Sequence, residues 1–275
     1  MAILFALLSS VMWGSSDFLG GLRSRTRPPV AVVAGSMFCG LVVISIVALA
    51  YGAYDDPTGW IPWSMMSGVV GATGLVAFYG ALAGGTMGVV SPIAALGVAV
   101  PVIIGFARGE TPSTIQTVGL VVALTGAIAT SGPELSGRAS ARSVLLAAFA
   151  GVCFGLVFVA VDQGAESSPL MTLIGMRTTS IVMFGIVALV ARNIGGLDRT
   201  DVLPLVVIGS FDVFANLMFA LATNRGYVSI VSVLGSLYPV MTVLLARAFL
   251  HERMRTIQGL GVAVTMLGVA FISAG

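Results

Sequence analysis

Apolar residues fill ten long stretches of this chain, and the polar positions gather in the short gaps between them. The stretches predict helices over 2–21, 30–51, 61–83, 86–106, 115–131, 143–163, 170–191, 202–223, 227–247 and 256–274. A helix needs roughly 20 apolar residues to cross a hydrocarbon core about 30 Å thick, so each stretch is a membrane-span candidate. The second five stretches repeat the first five. At a shift of 142 residues, Glu110, Thr114, Ile115, Gln116, Gly119, Val122, Gly126 and Ser131 fall on Glu252, Thr256, Ile257, Gln258, Gly261, Val264, Gly268 and Ser273. Gly14 pairs with Gly155, Pro29 with Pro169 and Pro62 with Pro204 at nearly the same shift. An odd number of spans per copy inserts the second copy from the opposite side. The expectation is an all-α polytopic membrane protein, with ten transmembrane helices as two inverted five-helix repeats around a central cavity. It forms a single membrane domain, 1–275, with repeat A at 1–131, a linker at 132–142 and repeat B at 143–275. Many secondary transporters have this architecture, with the substrate site near the midplane between the repeats.

Composition agrees with burial in lipid. The chain is 57% hydrophobic and only 9% charged, with a mean hydropathy of +1.07, whereas soluble domains carry about 25% charged residues. Its 35 glycines suit close helix contact in a bilayer, and Gly80, Gly84 and Gly88, like Gly151 and Gly155, are spaced four apart. The first stretch lacks the basic lead of a signal peptide. Its first charge is Asp17, so it reads as a retained span. Cys39 and Cys153 fall inside spans and read as small packing groups. The net charge of +2 is scattered over loops, which gives no basic face for nucleic acid.

The charge that is present is lopsided. All thirteen basic residues are arginines, and ten lie in the first, fifth, seventh and ninth loops: Arg23, Arg25, Arg27, Arg138, Arg142, Arg192, Arg199, Arg247, Arg253 and Arg255. The even loops hold Arg108 and Arg225, and Arg177 lies within a span. Positive-inside reasoning puts the odd loops in the cytoplasm and both termini outside.

Enzyme chemistry has little to work with. The one histidine, His251, sits at a span end, and no Walker loop, CxxC, HExxH or GxSxG occurs. Gly259-Leu-Gly261 lacks the third glycine of a dinucleotide fingerprint and follows no strand. No enzyme activity, cofactor or metal is expected. Without an ATP site, transport has to be driven by an ion or substrate gradient.

Charges inside spans are the sharper signal, because each costs at least about 2.5–3.5 kcal/mol on insertion scales. Asp17, Arg177 and Asp212 fall at membrane depth, and Asn216 shares a face with Asp212 one turn on. They form either a polar wall for substrate or a structural pair in which Arg177 neutralises an aspartate. Two acids against one base leave one carboxylate without a basic partner, and such a group can be protonated reversibly. Asp212 and Asp17 are therefore the coupling candidates. The fourth span contains Pro92 and Pro101, and its counterpart reads Leu237-Tyr238-Pro239. Proline frees a backbone carbonyl, and broken segments at corresponding places in two repeats point to a binding site. Trp13, Tyr79 and Tyr238 are aromatics with a polar tip inside spans, able to stack on a solute and hydrogen-bond to it. The candidate cavity is thus Trp13, Asp17, Tyr79, Pro92, Arg177, Asp212, Asn216, Tyr238 and Pro239. Glu110 and Glu252 precede spans five and ten, and they read as caps at helix N-termini.

At these residues the chain resembles the EamA-type carriers of the drug/metabolite transporter superfamily. The resemblance rests on Trp13-Gly14, Leu237-Tyr238-Pro239, Gly109-Glu110, Glu252 and the Ile-Gln-x-x-Gly pattern in both halves. It implies a ten-helix basket with alternating access, commonly exporting amino acids, metabolites or drugs. Two features depart from it. Gly97 stands where the Tyr-Pro of the second copy would align, and the arginine bias opposes the cytoplasmic termini of many relatives. The expected function is a secondary transporter of a small organic solute across the cytoplasmic (inner) membrane, by efflux and with protons as a coupling ion. The alternatives are a sugar-like uptake carrier or a non-transporting membrane subunit. The expected partners are the solute, the bilayer and protons, with the chain a monomer or a homodimer.

Overall fold

A computed structural model describes residues 1–84, 87–131, 140–191, 196–250 and 256–275. Glu252, His251, Arg138, Arg192, Arg253, Arg255 and most of the 132–142 linker lie outside the described residues, as does the side chain of Arg247.

Among the described residues all regular structure is helical. The helices are α1 (Ala2–Arg23), α2 (Pro29–Tyr51), α3 (Ile61–Gly84), α4 (Met87–Ala95), α5 (Ala99–Ala107), α6 (Thr114–Ser131), α7 (Ala141–Ala165), α8 (Pro169–Ala191), α9 (Val202–Thr223), α10 (Val228–Gly235), α11 (Tyr238–Leu250) and α12 (Thr256–Ala274). Six helical segments among them are long and apolar enough to cross a membrane: Ala2–Arg23, Pro29–Tyr51, Thr58–Gly84, Ala141–Ala165, Pro169–Val190 and Arg199–Thr223. Four shorter apolar helices accompany them, at Ile93–Ala107, Thr114–Ala129, Val228–Thr242 and Gly259–Ala274.

The burial pattern suits lipid as the outer solvent. On α1 the buried face is small and polar, with Ser9, Ser10, Gly14, Ser15, Ser16, Asp17 and Gly20, while Leu4, Leu8 and Val11 are exposed. On α2 the exposed face runs Phe38, Val42, Ile46 and Leu49, and on α7 it runs Leu145, Phe149 and Val152. These stripes recur at helical spacing, so α1, α2 and α7 each turn a row of bulky apolar residues outward.

Close packing depends on glycine. A Cβ on Gly14 would meet the Tyr238 carbonyl and the Met241 side chain, and one on Gly155 would meet the Gly97 carbonyl and Val100. Gly126 lies against Thr265, and Gly268 lies against Ala123. Gly119 approaches Gly268 and Ile272, so α6 and α12 run antiparallel along their length.

The two proline-bearing stretches are interrupted. A 3-10 turn at Leu96–Val98 separates α4 from α5, and Ser236 and Leu237 separate α10 from α11. The break in the first copy is therefore at Gly97 and not at Pro92, which lies within α4 and whose side chain is outside those described. The reason is steric. A proline ring clashes with the carbonyl four residues earlier. For Pro101 that residue is Gly97, and for Pro239 it is Gly235, the last residue of α10.

Caps and ion pairs fix the loops. Ser113 and Gln116 bond reciprocally at the start of α6, with the Gln116 N–H donating to Ser113 Oγ at 3.2 Å and the Ser113 N–H donating to Gln116 Oε1 at 3.0 Å. Glu110 is therefore not needed by the helix that follows it. Its carboxylate accepts from the Val228 N–H at 2.6 Å and the Ser229 N–H at 3.0 Å, which caps α10 in the other half of the chain. At the opposite ends of the long helices, Arg23 pairs with Asp201, and Arg27 with both Asp198 and Asp201. Asp198 is held at about 2, first by the hydroxyl and N–H of Thr200 and then by Arg27. The same pairing raises the Arg27 guanidinium above its ordinary value.

Candidate functional site

A cavity of ≈ 590 Å³, counting the space at its mouth, lies between the long helices. Its wall includes Trp13 and Asp17 from α1, Met37 from α2, Ser67, Gly71, Ala72 and Leu75 from α3, and Phe154, Val157 and Phe158 from α7. Met176, Arg177 and Ser180 from α8, Asp212 and Asn216 from α9, and Tyr238 from α11 complete it. Of the residues singled out from sequence, Trp13, Asp17, Arg177, Asp212, Asn216 and Tyr238 come together here, although they span more than two hundred positions of chain. Tyr79 and Pro239 do not line it. Tyr79 is fully buried behind the wall, where its hydroxyl donates to the Ser16 carbonyl at 3.5 Å. Gly20 leaves the room that the Tyr79 ring occupies. Pro239 is buried at the start of α11, where it shapes the chain break and leaves Tyr238 to face the cavity.

The polar groups of the wall are unequally satisfied. The Arg177 guanidinium forms an ion pair with Asp212. The Asn216 amide donates to the Asp212 backbone carbonyl at 2.7 Å and lies 3.5 Å from its carboxylate. Ser180 donates to the Gly68 and Met176 carbonyls at 2.8 and 2.9 Å, and Ser67 donates to the Ser64 carbonyl at 3.1 Å. Asp17 is 7% exposed and makes no hydrogen bond or ion pair among the described residues. The Tyr238 hydroxyl and Arg177 Nε are buried without a hydrogen-bond partner.

An aromatic cluster includes Trp13, Phe154, Phe158 and Tyr238 of the wall and is backed by the buried Phe78 and Phe219. Trp13 stacks on Phe158 with ring centroids 5.3 Å apart, and Phe158 stacks on Phe219 at 4.6 Å. Phe78 meets both Phe154 and Tyr238 edge-on, at 5.4 and 6.2 Å. A site with an apolar aromatic lining and a few convergent polar groups is the usual form of a small-molecule pocket. Among the described residues no group of histidine, cysteine, aspartate and glutamate has the arrangement to hold a metal ion.

Sequence reasoning missed Phe154 and Phe158, which carry no polar tip and resemble the other phenylalanines of the spans. The repeat offset would have found them. Five pairs of wall residues stand 140 or 141 positions apart: Trp13 and Phe154, Asp17 and Phe158, Met37 and Arg177, Gly71 and Asp212, Leu75 and Asn216.

Comparison with known proteins agrees with this architecture. The model of the EamA-like transporter family matches residues 1–132 and again residues 141–274. An uncharacterized protein of Methanocaldococcus jannaschii is 28% identical over 130 residues, which make up 47% of this chain and 92% of that protein. A protein of known crystal structure shares the fold with a TM-score of 0.80 at 20% identity, over 99% of this chain and 96% of the other.

Proposed function

The chain belongs to the EamA-like transporter family, and we propose that it is a secondary carrier moving a small organic solute across the cytoplasmic membrane by alternating access. As a member of that family it is a multi-pass membrane protein and a transporter of the drug/metabolite superfamily. The observation that carries the finer reading is the convergence of Asp17, Arg177, Asp212, Asn216, Trp13 and Tyr238 on one cavity. Arg177 and Asp212 can serve as a structural pair, but the unpaired Asp17 in the same cavity has a use in a solute site and none in a scaffold.

Rocking of one half against the other fits the reciprocal packing. The contact of Gly14 with Tyr238 and Met241 is repeated, 141 positions on, by that of Gly155 with Gly97 and Val100. Gly126 against Thr265 and Gly268 against Ala123 are related in the same way. Two inverted five-span copies, ten spans in all, account for both, and for a relative about half as long as this chain. Such symmetry lets the two sides of the membrane exchange open and closed arrangements at little energetic cost.

Coupling to protons is the role of Asp17 in this reading. Of the two candidates, Asp212 has its charge already met by Arg177. Asp17 is the carboxylate free to exchange its counter-charge. We read the direction as efflux. A metabolite-resolved assay in membrane vesicles tests the function: a small solute should move down an imposed gradient in carrier-containing vesicles without ATP. If carrier-containing and empty vesicles handle every solute alike, the chain is a membrane subunit and not a carrier.

A further inference from the structure

We propose that the solute is an organic cation, a protonated amine whose ammonium group sits at Asp17 against the Trp13 ring while its apolar body lies along the aromatic wall. This rests on the carrier reading and specifies its substrate class.

Charge balance is the first argument. Among the described residues, two carboxylates and one guanidinium face the cavity. The guanidinium is engaged by Asp212, and the Asn216 amide turns to the same residue. Among the described side chains, the other groups near Asp17 that carry charge or titrate are Asp212, Tyr79 and Tyr238, none of them cationic. A buried carboxylate without a partner is unstable as an anion, so its counter-charge comes from a proton or from the solute. A cationic solute and a proton would then compete for one group.

The surrounding surface is the second argument. Trp13 lies one turn before Asp17 on the same helix, so ring and carboxylate share a face. Phe158 stacks against that ring, which leaves a continuous aromatic wall beside the carboxylate. A cation within about 6 Å of a ring centroid is attracted by the ring's electron-rich face, most strongly for tryptophan. An anion would meet the Asp17 charge or, with Asp17 protonated, a wall whose guanidinium is held by Asp212. A zwitterion would satisfy Asp17 with its amine, but its carboxylate would need the guanidinium that Asp212 holds. The unpartnered Tyr238 hydroxyl can donate to a neutral acceptor on the solute, which an amine-bearing molecule can carry without changing its charge.

Isothermal titration of the full chain in detergent, near neutral pH, with four probes of similar shape tests the assignment: phenethylamine, 2-phenylethanol, phenylalanine and 3-phenylpropionate. Phenethylamine should bind at least about tenfold more tightly than the alcohol and the zwitterion, and phenylpropionate should not compete with it. Asp17→Asn should remove the advantage of amine over alcohol while elution profile and melting temperature are kept. If that variant does not fold, the ranking on the unsubstituted chain decides. The proposal is overturned if the alcohol matches the amine, if the zwitterion or anion binds best, if Asp17→Asn keeps the preference, or if phenethylamine does not bind at millimolar concentration. Counterflow in proteoliposomes separates this from failure of the carrier reading. Movement of neutral or anionic solutes alone would keep the carrier and remove the cation; movement of none would remove the carrier.

Discussion

Arg177 on α8 and Asp212 on α9 form an ion pair in the cavity wall, with their side chains 2% and 15% exposed. The pair joins two helices of the second half and leaves Asp17, from the first, without an ion pair among the described residues of the cavity. Removing one partner of such a pair strands the other, at a cost of about 3–5 kcal/mol, whereas replacing both is often neutral. Asp212→Asn should therefore lower the melting temperature and folded yield of the carrier, and adding Arg177→Met should restore most of both. Thermal melts followed by size-exclusion chromatography measure this. Full stability of the single variant would mean that the pair contributes nothing to the fold.

Gly97 sits where the backbone of α7 passes, and a Cβ there would overlap the Gly151 carbonyl. Backbone cannot step aside as a flexible side chain can, so Gly97→Val should cost more than the roughly 1–3 kcal/mol of ordinary overpacking. Gly185, whose Cβ would meet nothing, should accept alanine with no loss. Comparison of the two melting temperatures checks the steric argument. Equal stability would show that α4, α5 and α7 have room to separate.

Glu110 ties the loop before α6 to the N-terminus of α10 through two backbone N–H groups. Loss of a side-chain cap costs about 0.5–2 kcal/mol, and here the loss falls on a contact between halves. Ser229 is fully buried. In a Ser229→Cys background, Glu110→Ala should speed thiol labelling at least several-fold, and Glu110→Gln, which keeps one acceptor, should speed it less. Identical labelling rates in all three would remove the latch role.

The arginine bias predicts that a reporter fused after Gly275 is extracytoplasmic and one placed in the 132–142 loop is cytoplasmic. Paired phosphatase and fluorescent-protein fusions read this directly. A cytoplasmic C-terminus would reverse the orientation and leave the fold unchanged.

The Asp198 carboxylate gives a pH dependence with a definite sign. Its folded value of about 2 lies below its ordinary one near 4, because Thr200 and Arg27 favour the charged form. The stability it contributes is fully present above about pH 4 and is lost as the pH falls from there through 2. The difference in melting temperature between the unsubstituted chain and Asp198→Ala should be constant near neutrality and shrink across that window. A difference independent of pH would show that the charge of Asp198 plays no part.

Much of this molecule was legible without coordinates, because a bilayer forces backbone groups to pair within helices and the apolar stretches then mark the helices themselves. The predicted 202–223, 256–274 and 115–131 agree with α9, α12 and α6 to within a residue. The predicted 86–106 and 227–247 each became two helices, interrupted just before Pro101 and Pro239. Pro101 disfavours a helical bond to the Gly97 carbonyl, and the close approach of Gly151 and Gly155 on α7 to that glycine exists only in the packed protein.

The sequence alone determined that the chain is helical and membrane-spanning, and that Asp17, Arg177 and Asp212 are costly residues in need of a reason. Hydrophobicity and period are local properties, and the solvent acts on them directly. Which aspartate Arg177 would neutralise was not local. Both aspartates were open choices until α8 and α9 packed side by side and fixed the partner as Asp212. Tertiary structure likewise turned Glu110 away from its own helix toward α10, and it put Phe158 against Trp13. Ion pairing, capping and ring stacking act over a few ångströms, so only the arrangement of the helices in space could decide them.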